Sequence, residues 1–153
     1  MTLIAPTLRT DIPLPDLDAT QRLGAKIASG LKCGDAVALW GELGAGKTTL
    51  ARAILVALGV REEVPSPTFT LVQRYDTEPA IAHYDLYRLR SAREMDELGL
   101  EDALGQGAVL VEWPERAPEA LPLDALHVRL VLHDSMRVAR LTGPVRWECL
   151  ANG

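Results

Sequence analysis

Nine consecutive residues in the first third of the chain have the types and spacing of a phosphate-binding loop. They fit the pattern G-x-x-x-x-G-K-[ST], in which glycines let several backbone N–H groups point at one anion. The free N–H groups and positive dipole end of a following helix add to that field. We expect Lys47 to reach the β- and γ-phosphates of a nucleotide and the Thr48 hydroxyl to ligate Mg²⁺. The predicted nucleotide-binding residues are Gly41, Glu42, Leu43, Gly44, Ala45, Gly46, Lys47, Thr48 and Thr49.

Two acidic residues follow apolar segments that are typical of strands. Glu112 ends the continuous apolar run 108–111, which predicts a strand buried on both faces, and Asp85 follows the segment 80–84. Ligands bind at the carboxyl ends of strands in open α/β sheets, so Glu112 is the candidate Mg²⁺ ligand and Asp85 a candidate catalytic acid. The alternatives are a solvated Glu112, and an Asp85 that pairs with Arg88 or caps a helix. For His83 a structural role in the strand is favoured over proton transfer.

Three further residues are candidates for contact with the site. Thr68 lies in a stiff loop that contains Pro65 and Pro67, and loops of this kind carry a hydroxyl to Mg²⁺ or the γ-phosphate in switch-type NTPases, although a plain turn is the alternative. Arg137 is a candidate nucleotide contact from the last strand, against the default of an exposed arginine. Trp113, next to Glu112, is expected either to pack over the site or to meet a partner.

The elements that position these residues follow from hydrophobic periodicity, prolines and capping patterns. The chain predicts one α/β domain over 1–153, of the P-loop NTPase type, with a mixed sheet that has a parallel centre, antiparallel additions and helices on both faces. Residues 1–13 are expected to be extended or an edge strand, and 142–153 a short tail. The predicted helices are about 18–31 with Asp18 or Thr20 as N-cap, the helix that follows Lys47 and ends at Gly59, a short helix from Ser91 to Gly99, and 101–104. The predicted strands are 36–40, a hairpin of 71–75 and 80–84, 108–111, an alternating strand around 127–133, and 137–141.

Composition restricts the possible classes of protein. The 153 residues are 48% hydrophobic and 24% charged, which is ordinary for a soluble domain, and no apolar run approaches a membrane span. The N-terminal residues lack the apolar core of a secretion signal, and two cysteines without metal-ligand spacing fit a reducing cytoplasm. The net charge of −5 argues against a domain that grips nucleic acid by itself, so a partner is expected to hold any such ligand.

Four segments together resemble the TsaE family, also called YjeE, of bacterial ATPases needed for threonylcarbamoyladenosine modification of tRNA. They are the phosphate loop, Ser-Pro-Thr-Phe-Thr-Leu-Val at 66–72, His-Tyr-Asp-Leu-Tyr-Arg-Leu at 83–89, and the pair Glu112-Trp113. Many NTPases share the first segment, whereas the third and fourth in combination are much more selective. The resemblance extends from about Leu14 to Leu141.

The resemblance implies a cytoplasmic, Mg²⁺-ATP-dependent protein that acts with TsaB and TsaD. That pair carries the transferase chemistry on adenosine 37 of tRNAs that read codons beginning with A, and the ATPase supports repeated turnover. By the family pattern Lys47 contacts the β- and γ-phosphates, Thr48 and Glu112 hold Mg²⁺, Asp85 is a catalytic acid and Thr68 belongs to a switch loop. The tRNA would be held mainly by the partner complex, and this chain is expected to be a monomer or weak homo-oligomer.

Two other functions are compatible with a phosphate loop. One is a small-molecule kinase, although such enzymes usually add an arginine-bearing lid and an acceptor pocket, for which the short connectors leave little chain. The other is a non-catalytic module in which ATP only shapes a surface for a partner, with Asp85 and Glu112 structural.

Overall fold

A single mixed sheet organises the part of the chain that the structure describes, which is residues 7–64, 67 and 70–151 of a computed structural model. Its seven strands are β1 (Thr7–Leu14), β2 (Ala36–Trp40), β3 (Val72–Tyr75), β4 (Ala80–Asp85), β5 (Gly107–Glu112), β6 (Leu126–His133) and β7 (Met136–Pro144). The α-helices are α1 (Leu17–Gly30), α2 (Lys47–Ala57), α3 (Ala92–Glu97) and α4 (Leu100–Gln106). Short 3₁₀ helices cover Pro114–Arg116, Pro118–Ala120 and Val145–Ala151.

The strand order is β1-β7-β6-β2-β5-β4-β3. Strands β6, β2, β5 and β4 are mutually parallel, whereas β3, β7 and β1 are antiparallel to their neighbours. This arrangement confirms the predicted α/β fold with a parallel centre and antiparallel additions. It also places β4 directly beside β5, so that the two candidate acids end neighbouring strands.

Side chains alternate between two apolar layers, one on each face of the sheet. On β2, Val37 and Leu39 join the layer that contains α1 and α2, while Ala36 joins the layer that contains α3 and α4. On β5, Leu110 and Val111 divide in the same way. Strand β5 is buried along its whole length, as expected for a parallel strand covered on both faces.

Helix α1 begins earlier than predicted. Its N-cap is Asp16, whose carboxylate accepts a hydrogen bond of 2.8 Å from the Ala19 amide, so the expected caps at Asp18 and Thr20 are wrong. Leu23 and Ile27, one turn apart, form a buried apolar stripe along the helix. This stripe holds α1 against α2, the helix that follows the phosphate loop.

The C-terminal part of the chain is more ordered than the short tail expected from residue 142. Strand β7 continues to Pro144, and the following 3₁₀ helix buries Trp147 and Leu150, each 1% exposed, in the layer of α1 and α2. Helix α4 likewise continues through Gly105 to Gln106 instead of ending at residue 104. Strand β1 pairs along the outside of β7, which agrees with the expected edge strand.

Among the described residues, no helix combines the length and apolar character that crossing a bilayer would require.

Candidate functional site

The predicted phosphate loop connects β2 to α2 and has the backbone conformations that require glycine. Gly44 has φ 82° and Gly46 has φ 108°, both in the left-handed region that side chains disfavour. Gly46 is the N-cap of α2, and its carbonyl accepts the first helical hydrogen bond, 2.9 Å from the Leu50 amide. The loop therefore delivers the N-terminus of α2 to the carboxyl edge of the sheet, as its spacing predicted.

Lys47 is folded back into the loop. The residue is only 5% exposed, and Nζ donates hydrogen bonds to the carbonyl oxygens of Gly41 at 2.6 Å and Glu42 at 2.9 Å. Burial lowers the pKa of the ammonium group, an effect opposed by the nearby carboxylates, of which Glu112 contributes most. The charge thus lies at the centre of the loop, where an anion would bind.

Glu112 is buried with both carboxylate oxygens engaged. It is 2% exposed; Oε1 accepts a hydrogen bond of 2.8 Å from the Thr48 hydroxyl, and Oε2 lies 2.6 Å from His83 Nε2. The solvated alternative for Glu112 is therefore wrong, and the first residues of α2 are tied to the end of β5. This hydrogen bond joins Thr48 and Glu112, the two residues that the sequence predicts as ligands of one Mg²⁺ ion.

Asp85 lies beside Glu112 in the register of β4 and β5. It is 3% exposed, and Oδ1 accepts a hydrogen bond of 3.0 Å from the Tyr87 amide, which caps the turn after β4. The Asp85 side chain therefore stabilises the turn after β4 and also lies next to Glu112 at the carboxyl edge of the sheet.

Trp113 packs over the site, which is one of the two positions expected for it. Its ring centroid lies 4.0 Å from Lys47 Nζ and 4.8 Å from the ring centroid of Tyr87. Its backbone is in the left-handed region, with φ 58°, a conformation that costs free energy in a non-glycine residue and occurs often at functional sites. The turn after Glu112 is thus held in a shape that brings the indole over the lysine.

Arg137 of β7 reaches the other side of the loop. Its Nε lies 3.5 Å from the position that a Cβ atom on Gly46 would occupy, and this buried Nε has no hydrogen-bond partner among the residues described. The structure therefore brings Arg137 to the loop, as a nucleotide contact requires. Thr68 falls outside the described residues.

Two cavities flank the loop. One, of about 420 Å³, is lined by the start of α2 together with Asp85, Tyr87, Glu112 and Trp113. The other, of about 500 Å³, lies between Gly41–Ala45 and the end of β6, Arg129–Leu132. The first cavity is lined by the residues predicted to bind the nucleotide and its metal ion. The second cavity has one wall formed by β6, a strand that the sequence analysis did not place at the site.

The donor atoms present fit Mg²⁺. The Thr48 hydroxyl and a Glu112 carboxylate are hard oxygen ligands, and their 2.8 Å separation is close to the spacing of adjacent oxygens around an octahedral Mg²⁺, about 2.9 Å. Within the described ranges no cluster of three His, Cys, Asp or Glu side chains could hold a metal. The remaining ligands would therefore come from phosphate oxygens and water, which is how Mg²⁺ is usually bound with nucleotides.

Sequence reasoning missed two residues of this site. The sequence indicates only a general structural role for His83 and none for Tyr87, yet His83 contacts the carboxylate of Glu112 and Tyr87 packs against Trp113 with the two rings tilted by 50°. Both are separated in sequence from their partners, and only the pairing of β4 with β5 brings His83 to Glu112.

Comparison with known proteins identifies the family of the chain. The family model described as "Threonylcarbamoyl adenosine biosynthesis protein TsaE" matches residues 14–140. Proteins named tRNA threonylcarbamoyladenosine biosynthesis protein TsaE are similar to the chain in several bacteria. The one from Rickettsia felis is 41% identical over 127 residues, 81% of this chain and 74% of the relative. The one from Streptomyces coelicolor is 42% identical over 114 residues, 72% of this chain and 77% of the relative.

A solved structure shares the whole fold. The crystal structure of YdiB from Bacillus subtilis superposes with a TM-score of 0.76 at 28% sequence identity, and the match covers 99% of this chain and 95% of that one. The family model spans the phosphate loop and both acidic residues, so the match includes the site as well as the fold. The chain belongs to the TsaE family of tRNA threonylcarbamoyladenosine biosynthesis proteins.

Proposed function

We propose that the chain is a Mg²⁺-dependent ATPase that binds a TsaB–TsaD complex and supports repeated threonylcarbamoylation of adenosine 37 in tRNAs that read codons beginning with A. The observation that carries the ATPase proposal is the Thr48–Glu112 hydrogen bond of 2.8 Å at the end of a phosphate loop. A phosphate cradle alone binds an anion, whereas a hydroxyl and a carboxylate set beside it can also hold the metal of a nucleotide.

In this proposal the phosphate loop binds the triphosphate, and the acidic residues at the ends of β4 and β5 promote its hydrolysis. Lys47 Nζ leaves the carbonyls of Gly41 and Glu42 and binds the β- and γ-phosphates, while Arg137 Nε binds phosphate from the β7 side. Thr48 and Glu112 would hold Mg²⁺, which would neutralise the charge that develops on the phosphate oxygens. Asp85 orients the attacking water, and Thr68 is proposed to act in a switch loop.

The partners and location of the protein are part of the same proposal. The net charge of −5 favours a protein partner over direct contact with tRNA, because tRNA binding draws on a basic surface. We place the protein in the cytoplasm, as a monomer or weak homo-oligomer, with tRNA reached only through TsaB–TsaD.

Two substitutions test the ATPase proposal. We expect Lys47→Ala to weaken binding of a fluorescent ATP analogue about 10- to 100-fold, because it removes charge-assisted hydrogen bonds worth about 1.5–3 kcal/mol. We expect Glu112→Ala to leave nucleotide affinity in EDTA unchanged but to slow phosphate release about 100-fold or more, because the metal contributes several kcal/mol of transition-state stabilisation.

Matched controls remove the same charges from exposed positions. Lys32→Ala and Glu119→Ala alter exposed side chains outside the two cavities and should behave like the wild type. Normal hydrolysis by Glu112→Ala would reject its assignment as a metal ligand, and normal binding by Lys47→Ala would reject the phosphate cradle. Transfer of phosphate from ATP to an added nucleoside or sugar would instead identify a kinase.

A further inference from the structure

His83 is the buried partner of Glu112 that the proposed mechanism leaves without a role. It lies in the middle of β4, is 0% exposed, and its Nε2 is 2.6 Å from Glu112 Oε2. Within its strand it is two residues before Asp85, so both side chains point to the same face of the sheet. Glu112 is the register partner of Asp85 on β5 and projects from that face as well.

The carboxylate of Glu112 is therefore held at both ends. Thr48 donates to Oε1, and because an ionised carboxylate only accepts hydrogen bonds, the contact at Oε2 requires a proton on His83 Nε2. Two contacts fix the plane of a group whose terminal torsion is otherwise broad. With His83 in place, Oε1 faces Thr48 and the phosphate loop.

A purely structural role would not explain why these polar groups are buried here. Burying a carboxylate and an imidazole costs free energy that an apolar pair of similar volume would not. The pair is also not optimised for stability, because the buried Nδ1 of His83 has no hydrogen-bond partner among the described residues. The hydrogen bond from His83 Nε2 to Glu112 Oε2 is therefore the contact that connects His83 to the proposed metal site.

We infer that His83 is a positioning residue, which acts through Glu112 by orienting Oε1 for the metal of a bound nucleotide. This inference rests on the proposed function, in which Glu112 serves Mg²⁺. His83 itself touches neither nucleotide nor water in this role, since it is fully buried behind the carboxylate. The partners of metal ligands commonly change metal affinity about 10- to 100-fold when they are removed.

Two amide substitutions separate positioning from packing. The side-chain nitrogen of glutamine can occupy the place of His83 Nε2, whereas that of asparagine can reach only the place of Nδ1. The measurement is the Mg²⁺ concentration at half-maximal enhancement of binding of a fluorescent, non-hydrolysable ATP analogue. We expect His83→Asn to raise this midpoint about 10- to 100-fold and His83→Gln to stay within about threefold of the wild type, with affinity in EDTA unchanged for both.

The control and the contrary outcomes are specific. His133→Asn alters a histidine that is 71% exposed and should leave the midpoint unchanged. Equal midpoints for His83→Gln and His83→Asn, whatever their melting temperatures, would overturn the inference. If His83→Asn folds too poorly to titrate, His83→Leu, which removes the donor at similar volume, decides in its place. A wild type whose nucleotide binding ignores Mg²⁺ would defeat the proposed function itself, whereas a Mg²⁺-dependent wild type with unchanged variants would defeat only the role of His83.

Discussion

At the scale of single residues, the neighbouring carboxylates of Asp85 and Glu112 differ in what surrounds them. The Glu112 carboxylate is bound by the side chains of Thr48 and His83, and the Asp85 carboxylate accepts a hydrogen bond of 3.0 Å from the backbone amide of Tyr87. One carboxylate is thus tied to the start of α2, and the other to the turn that forms the wall of the adjoining cavity. This difference suits a division of work between metal binding and water alignment.

The substitution Asp85→Asn tests that division. The amide keeps an oxygen that can accept from Tyr87, so we expect the fold and the affinity for ATP to remain close to the wild type. We expect multiple-turnover hydrolysis to fall by about 10²-fold or more, because the charge that aligns the water is lost. Steady-state phosphate release, measured beside equilibrium binding of the same nucleotide, checks both statements. Unchanged turnover would reject a catalytic role for Asp85.

Single residues were predictable where a local pattern specified them. Lys47 and Thr48 followed from the spacing of the loop, and Glu112 followed from its place after an apolar run. The geometry of Trp113 was not predictable, because nothing in the neighbouring sequence, including the following Pro114, specifies a left-handed backbone at a tryptophan. The partner of His83 was not predictable either, since it depends on the register between two strands.

At the scale of elements, α2 is positioned by close contact with α1. Gly24 lies where the two helices meet, and a Cβ atom added there would stand 2.5 Å from Ala53 Cβ and 2.9 Å from the Ala53 backbone carbon. Glycine normally weakens a helix interior, so its presence here is explained by the close approach of the helices. The position of the phosphate loop relative to the sheet depends on this contact, because α2 begins at Lys47.

A pair of glycine-to-alanine substitutions tests this packing. Gly24→Ala should lower the free energy of unfolding by about 1–2 kcal/mol, because overpacking outweighs the gain in helix propensity. Gly105→Ala, in α4 with open space around its Cβ position, should raise it by about 0.5–1 kcal/mol. Urea unfolding of both variants measures the difference. A stabilised Gly24→Ala would show that the helices are not in close contact.

Element boundaries were predictable where local chemistry dominates, as for β2 and for the capping of α3 by Ser91, whose hydroxyl accepts from the Glu94 amide. Boundaries were less predictable where packing between distant parts of the chain determines where an element ends. The alternation expected for β6 fails at Leu132, which is 70% exposed, because β2 pairs with β6 only as far as Arg129. The C-terminal 3₁₀ helix is held by burial of Trp147 against α1 near Gly30, a long-range contact that periodicity does not reveal.

At the scale of the whole molecule, the strand order creates the site. Placing β4 beside β5 and β2 beside both β5 and β6 gathers the acids, the loop and the cavity wall at one edge of the sheet. The sequence predicted an α/β domain with a parallel centre and the hairpin of β3 and β4, which the structure confirms. The order of the other strands depends on packing between distant segments, so their neighbours could not be predicted.

The edge that carries the nucleotide site is also where a nucleotide would alter the surface seen by a partner. We expect immobilised TsaB–TsaD to retain the protein in Mg²⁺ with a non-hydrolysable ATP analogue, and to release it in EDTA without nucleotide. The reason is that in the proposed mechanism Lys47 exchanges the loop carbonyls for phosphate when the nucleotide binds. Lys47→Ala should not be retained in either condition, whereas Lys32→Ala should behave as the wild type. Equal retention with and without nucleotide would contradict a nucleotide-dependent complex.

The hydrogen bonds from Lys47 to the carbonyls of Gly41 and Glu42 have a kinetic consequence. They place a cation inside the loop, where the ammonium group binds the carbonyl oxygens of the first two loop residues. A phosphate group that binds this ammonium has to displace the two carbonyl oxygens, so their hydrogen bonds oppose binding and favour release. Under the proposed ATPase function, we expect this competition to shorten the time that product phosphate stays on the loop.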